Sequence, residues 1–136
     1  MDIETLSKQF LVDDEVGSDR LGKIIEGLLP YCVVRTNGSV EVAVEKFSGK
    51  NQVKLVLASR LVASKLERST VSGEVSASEI SKYTGLPKNQ AAARAKDCVD
   101  ERFADRSTRG TYIARQNMLE RFLAELTSSK EHKEAR

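Results

Sequence analysis

Between Gly85 and Arg115 the chain reads "GLPKNQAAARAKDCVDERFADRSTRGTYIAR". Asn89 and Gln90 carry amides, which donate and accept at once and match adenine edges, while Lys88 and Lys96 carry charges suited to guanine or phosphate. Arg94 and, further along, Arg106, Ser107, Thr108 and Arg109 are donors of the kind that hold a phosphate backbone. From Lys82 to Arg115 eight basic residues stand against four acidic ones. That is chemistry for holding an anion rather than for breaking a bond. Alternatively, Asp97, Asp100 and Glu101 pair with their helical neighbours and leave a neutral, solvated face.

Catalysis finds few candidates. The single histidine, His132, lies in a polar tail, so no Ser/His/Asp set forms around a buried base. Ser48-Gly49-Lys50 lacks the rest of a P-loop. Two distant cysteines and one tail histidine do not make a metal site. Asp13-Asp14-Glu15 sits in an acidic arm, where carboxylates are solvated. Cys98 falls on the basic segment, and burial is its expected state rather than a redox role. The sequence therefore predicts no enzyme, no cofactor, no metal and no small-molecule ligand.

The elements that must position the basic residues follow from periodicity. The chain has 136 residues, 40 % of them hydrophobic and only 5 % aromatic, so its core is mainly aliphatic. Net charge is +2, but unevenly spread: residues 1–50 hold six basic and nine acidic side chains, and residues 51–136 hold sixteen and eleven. A basic back half suits an anionic partner. No apolar run approaches the ~18 residues of a membrane span. The opening "MDIETLSKQF" is acidic and amphipathic rather than a secretory leader. The expectation is a cytoplasmic protein with reduced thiols.

Residues 1–16, with Leu6, Phe10 and Leu11, read as a short helix or an arm. Leu21, Ile24, Ile25, Leu28 and Leu29 mark one face of a helix opened by Ser18 and stopped by Pro30. Around Asn37-Gly38 the β-branched run Tyr31–Val44 reads as a hairpin, with Val40, Val42 and Val44 on its buried face. Asn51 to Arg68 is a helix whose wide stripe, from Val53 to Leu66, needs cover on more than one side. Ser76 and Glu79 form a capping box for a short helix ended by Gly85. Pro87 opens the next helix, in which Ala91, Ala95 and Cys98 share the inner face. If they do, Lys88, Asn89, Ala92, Ala93 and Lys96 point outward. A second hairpin spans 103–115 with a polar tip at Ser107–Gly110. A last helix carries Met118, Leu119, Phe122, Leu123 and Leu126 before a polar tail.

The order from residue 51 resembles the winged helix-turn-helix superfamily. The residues carrying the likeness are the capped start Ser76–Ile80, the turn at Gly85, the inward ladder Ala91, Ala95 and Cys98, and the basic hairpin. The fold so implied is α+β and mainly helical: a winged helix over 51–126, an added N-terminal helix and β-hairpin within 1–50, and a tail at 127–136. Two features depart from the usual pattern: the ladder is made of small residues, and Arg102 stands where a glycine often precedes the wing. The resemblance implies a regulator of transcription that binds double-stranded DNA. The helix at 87–101 would enter the major groove, with Lys88, Asn89, Gln90, Ala92, Ala93 and Lys96 near base edges and Arg94 on a phosphate. The wing tip, Arg106, Ser107, Thr108 and Arg109, would lie on the backbone. It also implies a homodimer in the cytoplasm, at the nucleoid. A winged helix used only to dock other proteins is the alternative.

Overall fold

A single helix organises the chain. In the computed structural model, which describes residues 2–10, 18–43, 45, 47–66, 69–107 and 110–134, the helix α3 (Gly49–Lys65) buries every residue from Gln52 to Ala63. A helix buried over its whole circumference is covered all round, and its polar members Gln52, Lys54, Ser59 and Arg60 lie under that cover with the apolar ones. Ser48 caps it, accepting from the Asn51 N–H at 3.2 Å. The element therefore begins two residues before the boundary expected at residue 51. It ends at Lys65, so Leu66 falls outside the helix and is exposed rather than part of the buried stripe.

One side of α3 is covered by α2 (Ser18–Leu28) and by the antiparallel pair β1 (Cys32–Val34) and β2 (Val40–Val42). The hairpin turn is not the two-residue type that Asn37-Gly38 usually signals. Only Gly38 has positive φ, at 91°. Its N–H donates to the Arg35 carbonyl, and the Arg35 N–H donates to the Ser39 carbonyl, both at 2.8 Å. That is a three-residue loop closed by a glycine bulge. Val40 is buried and Glu41 exposed, as alternation predicts, while Val44 lies outside the described residues.

The other side of α3 is covered by α4 (Ala77–Thr84), α5 (Lys88–Asp100) and β5 (Thr111–Ala114), with β3 (Val75–Ser76) and β4 (Ala104–Arg106) flanking β5. The three strands form one antiparallel sheet in the order β3-β5-β4, so β5 lies between the other two. A 3-10 turn at Gln116–Met118 leads into α6 (Leu119–Glu134). This helix buries Leu119, Phe122 and Leu126 and packs along α2, where Arg20 pairs with Glu120. It continues well past Leu126, where a polar tail was expected. Before α2, Ile3–Phe10 forms a short helix α1, while Asp13-Asp14-Glu15 lies outside the described residues.

Among the described residues the fold is thus α+β, with six α-helices and two small sheets. Residues 18–50 and the C-terminal half share one hydrophobic cluster, from Ile24 and Val40 to Ala95 and Leu126. Two buried cations on α3 tie its neighbouring elements together. Arg60 donates Nε to Ser72 O at 2.8 Å, Nη1 to Gly38 O at 3.0 Å and to Glu79 Oε2 at 2.9 Å, and Nη2 to Glu74 O at 3.2 Å. One planar guanidinium thereby joins the N-terminal hairpin, the loop before β3 and the first turn of α4. Lys54 lies 5.3 and 5.8 Å from the ring centroids of Phe103 and Phe122 and 3.2 Å from Glu101 Oε1, which locks α6 to the end of α5.

Candidate nucleic-acid interface

The start of α4 carries the predicted capping box. Ser76 Oγ accepts from the Glu79 N–H at 3.1 Å, and Glu79 Oε1 accepts from the Ser76 N–H at 3.2 Å. The carboxyl of Glu79 is under opposing influences. Partial burial, the largest, raises its pKa, but the Arg60 guanidinium, the Ser76 N–H and the Tyr83 hydroxyl together hold it below the usual carboxylate range. Gly85 ends α4 with φ 79°, a left-handed conformation that glycine adopts without strain. Two side chains then fix the turn into α5. Ser81 Oγ donates to Leu86 O at 2.6 Å, and Thr84 Oγ1 accepts from the Leu86 N–H at 3.2 Å. Pro87 occupies the cap position itself, one residue ahead of the first turn, and no side chain caps α5.

The inner edge of α5 is Ala91, Ala95 and Cys98, each at 0 % exposure. These small side chains let α5 lie close against α3 and α4. Burial pushes the Cys98 thiol up to about 12, so it stays protonated and unreactive. The opposite face shows Asn89, Ala93, Lys96 and Asp100, spaced i, i+4, i+7, i+11, all exposed. Gln90 is exposed beside them. Lys88 is exposed at the first turn, on the flank it shares with Ala92 and Val99. Ala92 is half-buried, so the outward placement expected for it holds only in part.

The charges divide in a way the sequence left open. Arg94 Nε is 3.2 Å from Asp97 Oδ2, three residues on, so this cation is compensated within its own helix. Glu101 does not pair along α5. It turns back to α3, 2.8 Å from Lys50 Nζ and 3.2 Å from Lys54 Nζ. The Lys50 hydrogen bond lowers its pKa against some burial, with Lys54 adding to the effect. The carboxylate is thus drawn away from the outer face. Lys88 and Lys96 have no carboxylate partner among the described residues, and neither has Lys82 on α4. Asp100 is exposed, has no cation partner among the described residues, and sets a negative limit at the C-terminal end of the face.

Two residues at the helix–hairpin junction went unassigned in the sequence. Arg102 has φ 65°, the only non-glycine with positive φ among the described residues. Its N–H donates to Val99 O at 3.0 Å, and the Phe103 N–H donates to Cys98 O at 2.9 Å. That is the paired closure of a Schellman motif, whose left-handed position favours glycine. An arginine at that position was the visible signal. Its cation is exposed and has no carboxylate partner among the described residues. Glu101 is the second, and its partners on α3 were beyond any local pattern. In the hairpin, Arg106 lies over the Tyr112 ring at 5.7 Å, with Nη2 3.4 Å from the Tyr112 hydroxyl. Ser107 and Thr111 join their hydroxyls across the base of the tip. Arg115 pairs with Asp105 at 2.7 Å. Thr108 and Arg109 lie outside the described residues.

No family model, no curated protein and no solved structure matches this chain. The assignment of function therefore rests on the physical features of the face. Among the described residues no group of histidine, cysteine, aspartate and glutamate could hold a metal ion, and no helix is long and apolar enough to cross a membrane.

Proposed function

We propose that this chain is a winged helix-turn-helix protein that binds double-stranded DNA and regulates transcription, with α5 in the major groove and the β4–β5 hairpin as the wing. One observation carries the reading: α5 buries a ladder of small side chains and turns toward solvent a shallow polar face whose lysines no carboxylate among the described residues neutralises. Alanine at position 93 leaves room for the helix to approach base edges. Asn89 and Gln90 supply amides for adenine, and Lys88 and Lys96 reach guanine or phosphate. The capped α4, the three-residue turn and the sheet order β3-β5-β4 support the same architecture. Arg102 and Arg106 extend the positive surface from the helix into the hairpin, a backbone clamp in this reading.

Lys82, Lys88, Lys96, Arg102 and Arg106 are five cations without carboxylate partners among the described residues. If all five met phosphates, log K would fall against log salt with a slope of about −4.5. A salt-dependent mobility shift on random duplexes, with the bound pool sequenced, tests the reading. Lys88→Glu combined with Lys96→Glu should abolish the shift while leaving the thermal melt nearly unchanged, since both side chains are exposed. A double variant that still retards duplex DNA would remove α5 from the interface. Wild-type protein that leaves DNA unshifted in ~50 mM salt, where phosphate contacts are strongest, would move the reading to a protein-docking module.

A further inference from the structure

The large apolar side chains left in water are not scattered. Among the described residues there are five: Ile3 (80 % exposed), Leu6 (47 %), Leu29 (58 %), Val33 (44 %) and Leu66 (43 %). Leu29, Val33 and Leu66 all line one apolar groove of about 250 Å³ between α2, β1 and the end of α3. A second cleft of about 250 Å³ shares Val34, Ala63 and Leu66 with it and prolongs the channel toward Val71. Ile3 and Leu6 lie three residues apart on α1, one face of an amphipathic helix. Among the described residues, every exposed large apolar group therefore belongs either to this short helix or to this groove.

Each surface lacks what the other supplies. An eight-residue helix is marginal on propensity alone and draws its stability from packing its apolar face. Asp2 already caps it, accepting from the Thr5 N–H at 2.9 Å, so its start is specified while its apolar side chains are uncovered. The groove, in turn, is lined by apolar side chains apart from Ser59, and three of them, Leu29, Val33 and Leu66, remain in water.

We infer that the partner is a second copy of this chain, and that two copies exchange α1 reciprocally, each helix lying in the other's groove. A twofold arrangement satisfies both surfaces of both chains with one contact type used twice, in the helix-in-groove mode. Ten partly exposed apolar side chains at roughly 100 Å² each put about 1,000 Å² out of water, the lower edge of specific interfaces. The groove is formed by α2, β1 and α3, elements other than the α5 and hairpin surface assigned to DNA, so the inference does not depend on that assignment.

Sedimentation velocity of the full chain without DNA, over a concentration series, tests it. The wild type sediments as a dimer. Leu6→Asp weakens the dimer at least ~100-fold, because each assembly loses two buried leucines. Leu6 lies outside the core, so the variant still melts cooperatively, at a temperature lowered only by the lost contribution of the dimer. Leu66→Asp, on the groove side, has the same effect. An equimolar mixture of the two variants recovers a heterodimer, in which the intact helix of one chain meets the intact groove of the other. A wild type that stays monomeric at ~100 μM, as α1 folded onto its own groove would give, overturns the inference. So does a Leu6→Asp chain that remains dimeric, or a mixture that fails to associate.

Discussion

Replacing Arg102 by glycine should make the protein more stable and a weaker binder of DNA. Arg102 sits at φ 65°, where an L-residue is strained by about 1–2 kcal/mol relative to ordinary helical geometry. Glycine removes that strain but loosens the unfolded chain, which costs about 0.5–1 kcal/mol. The difference is a gain of about 0.5–1 kcal/mol, or roughly 2–4 °C in melting temperature for a chain of this size. Among the described residues the arginine makes no ion pair that would be lost, and the two backbone hydrogen bonds of the helix end are retained. If its cation meets a phosphate, removing it makes the salt slope less negative by about 0.9 and weakens binding about eightfold at 0.1 M salt. Urea denaturation and salt-dependent mobility shifts measure the two effects on the same sample. Arg102→Lys separates them, because it keeps both charge and strain: stability should not rise, and the slope should be preserved. A glycine variant less stable than the wild type would refute the strain argument. A glycine variant more stable but unchanged in salt slope would remove Arg102 from the DNA-contacting surface and leave its conformational cost without a function.

Three further outcomes follow from the same geometry. Asp100→Asn deletes a carboxylate on the outer face of α5 that has no cation partner among the described residues, so DNA affinity should rise several-fold at low salt and the gain should fade as salt screens it, by mobility shift. Arg60→Leu leaves three backbone carbonyls and Glu79 without their donor and should cost about 2–4 kcal/mol by urea denaturation, with Arg60→Lys recovering only part of it because a single ammonium cannot serve four acceptors. Glu79 has a folded pKa below its unfolded one, so it contributes stability that is fully present above the unfolded value and is lost as pH falls through roughly 4 and below. Glu79→Gln should flatten that part of the stability–pH profile, and an unchanged acid limb would place the dependence elsewhere.

The local devices of the chain were legible because each is completed within a few residues. Ser76 and Glu79 satisfy each other's backbone across three positions. Gly85 supplies a backbone conformation at a helix end, and the Ala91, Ala95, Cys98 ladder is a matter of helical period. Even the anomaly at Arg102 was visible as a residue out of place, although not that the backbone keeps the left-handed turn around an arginine. What the sequence could not decide was partnership between distant charges. Nothing near Glu101 says that it turns to Lys50 and Lys54 on α3, forty-seven residues from Lys54, rather than to its own helix. Nothing near Arg60 says that one guanidinium closes the Gly38 turn and steadies Glu79 as well. The short-range terms act through neighbours in the chain, so residue types and spacing determine them. Which charges remain free on α5, and which apolar side chains stay in water on α1 and its groove, depends on what the packed helices bring within a few ångströms. Only the tertiary structure decides that, because desolvation and ion pairing act over distance in space and not along the chain.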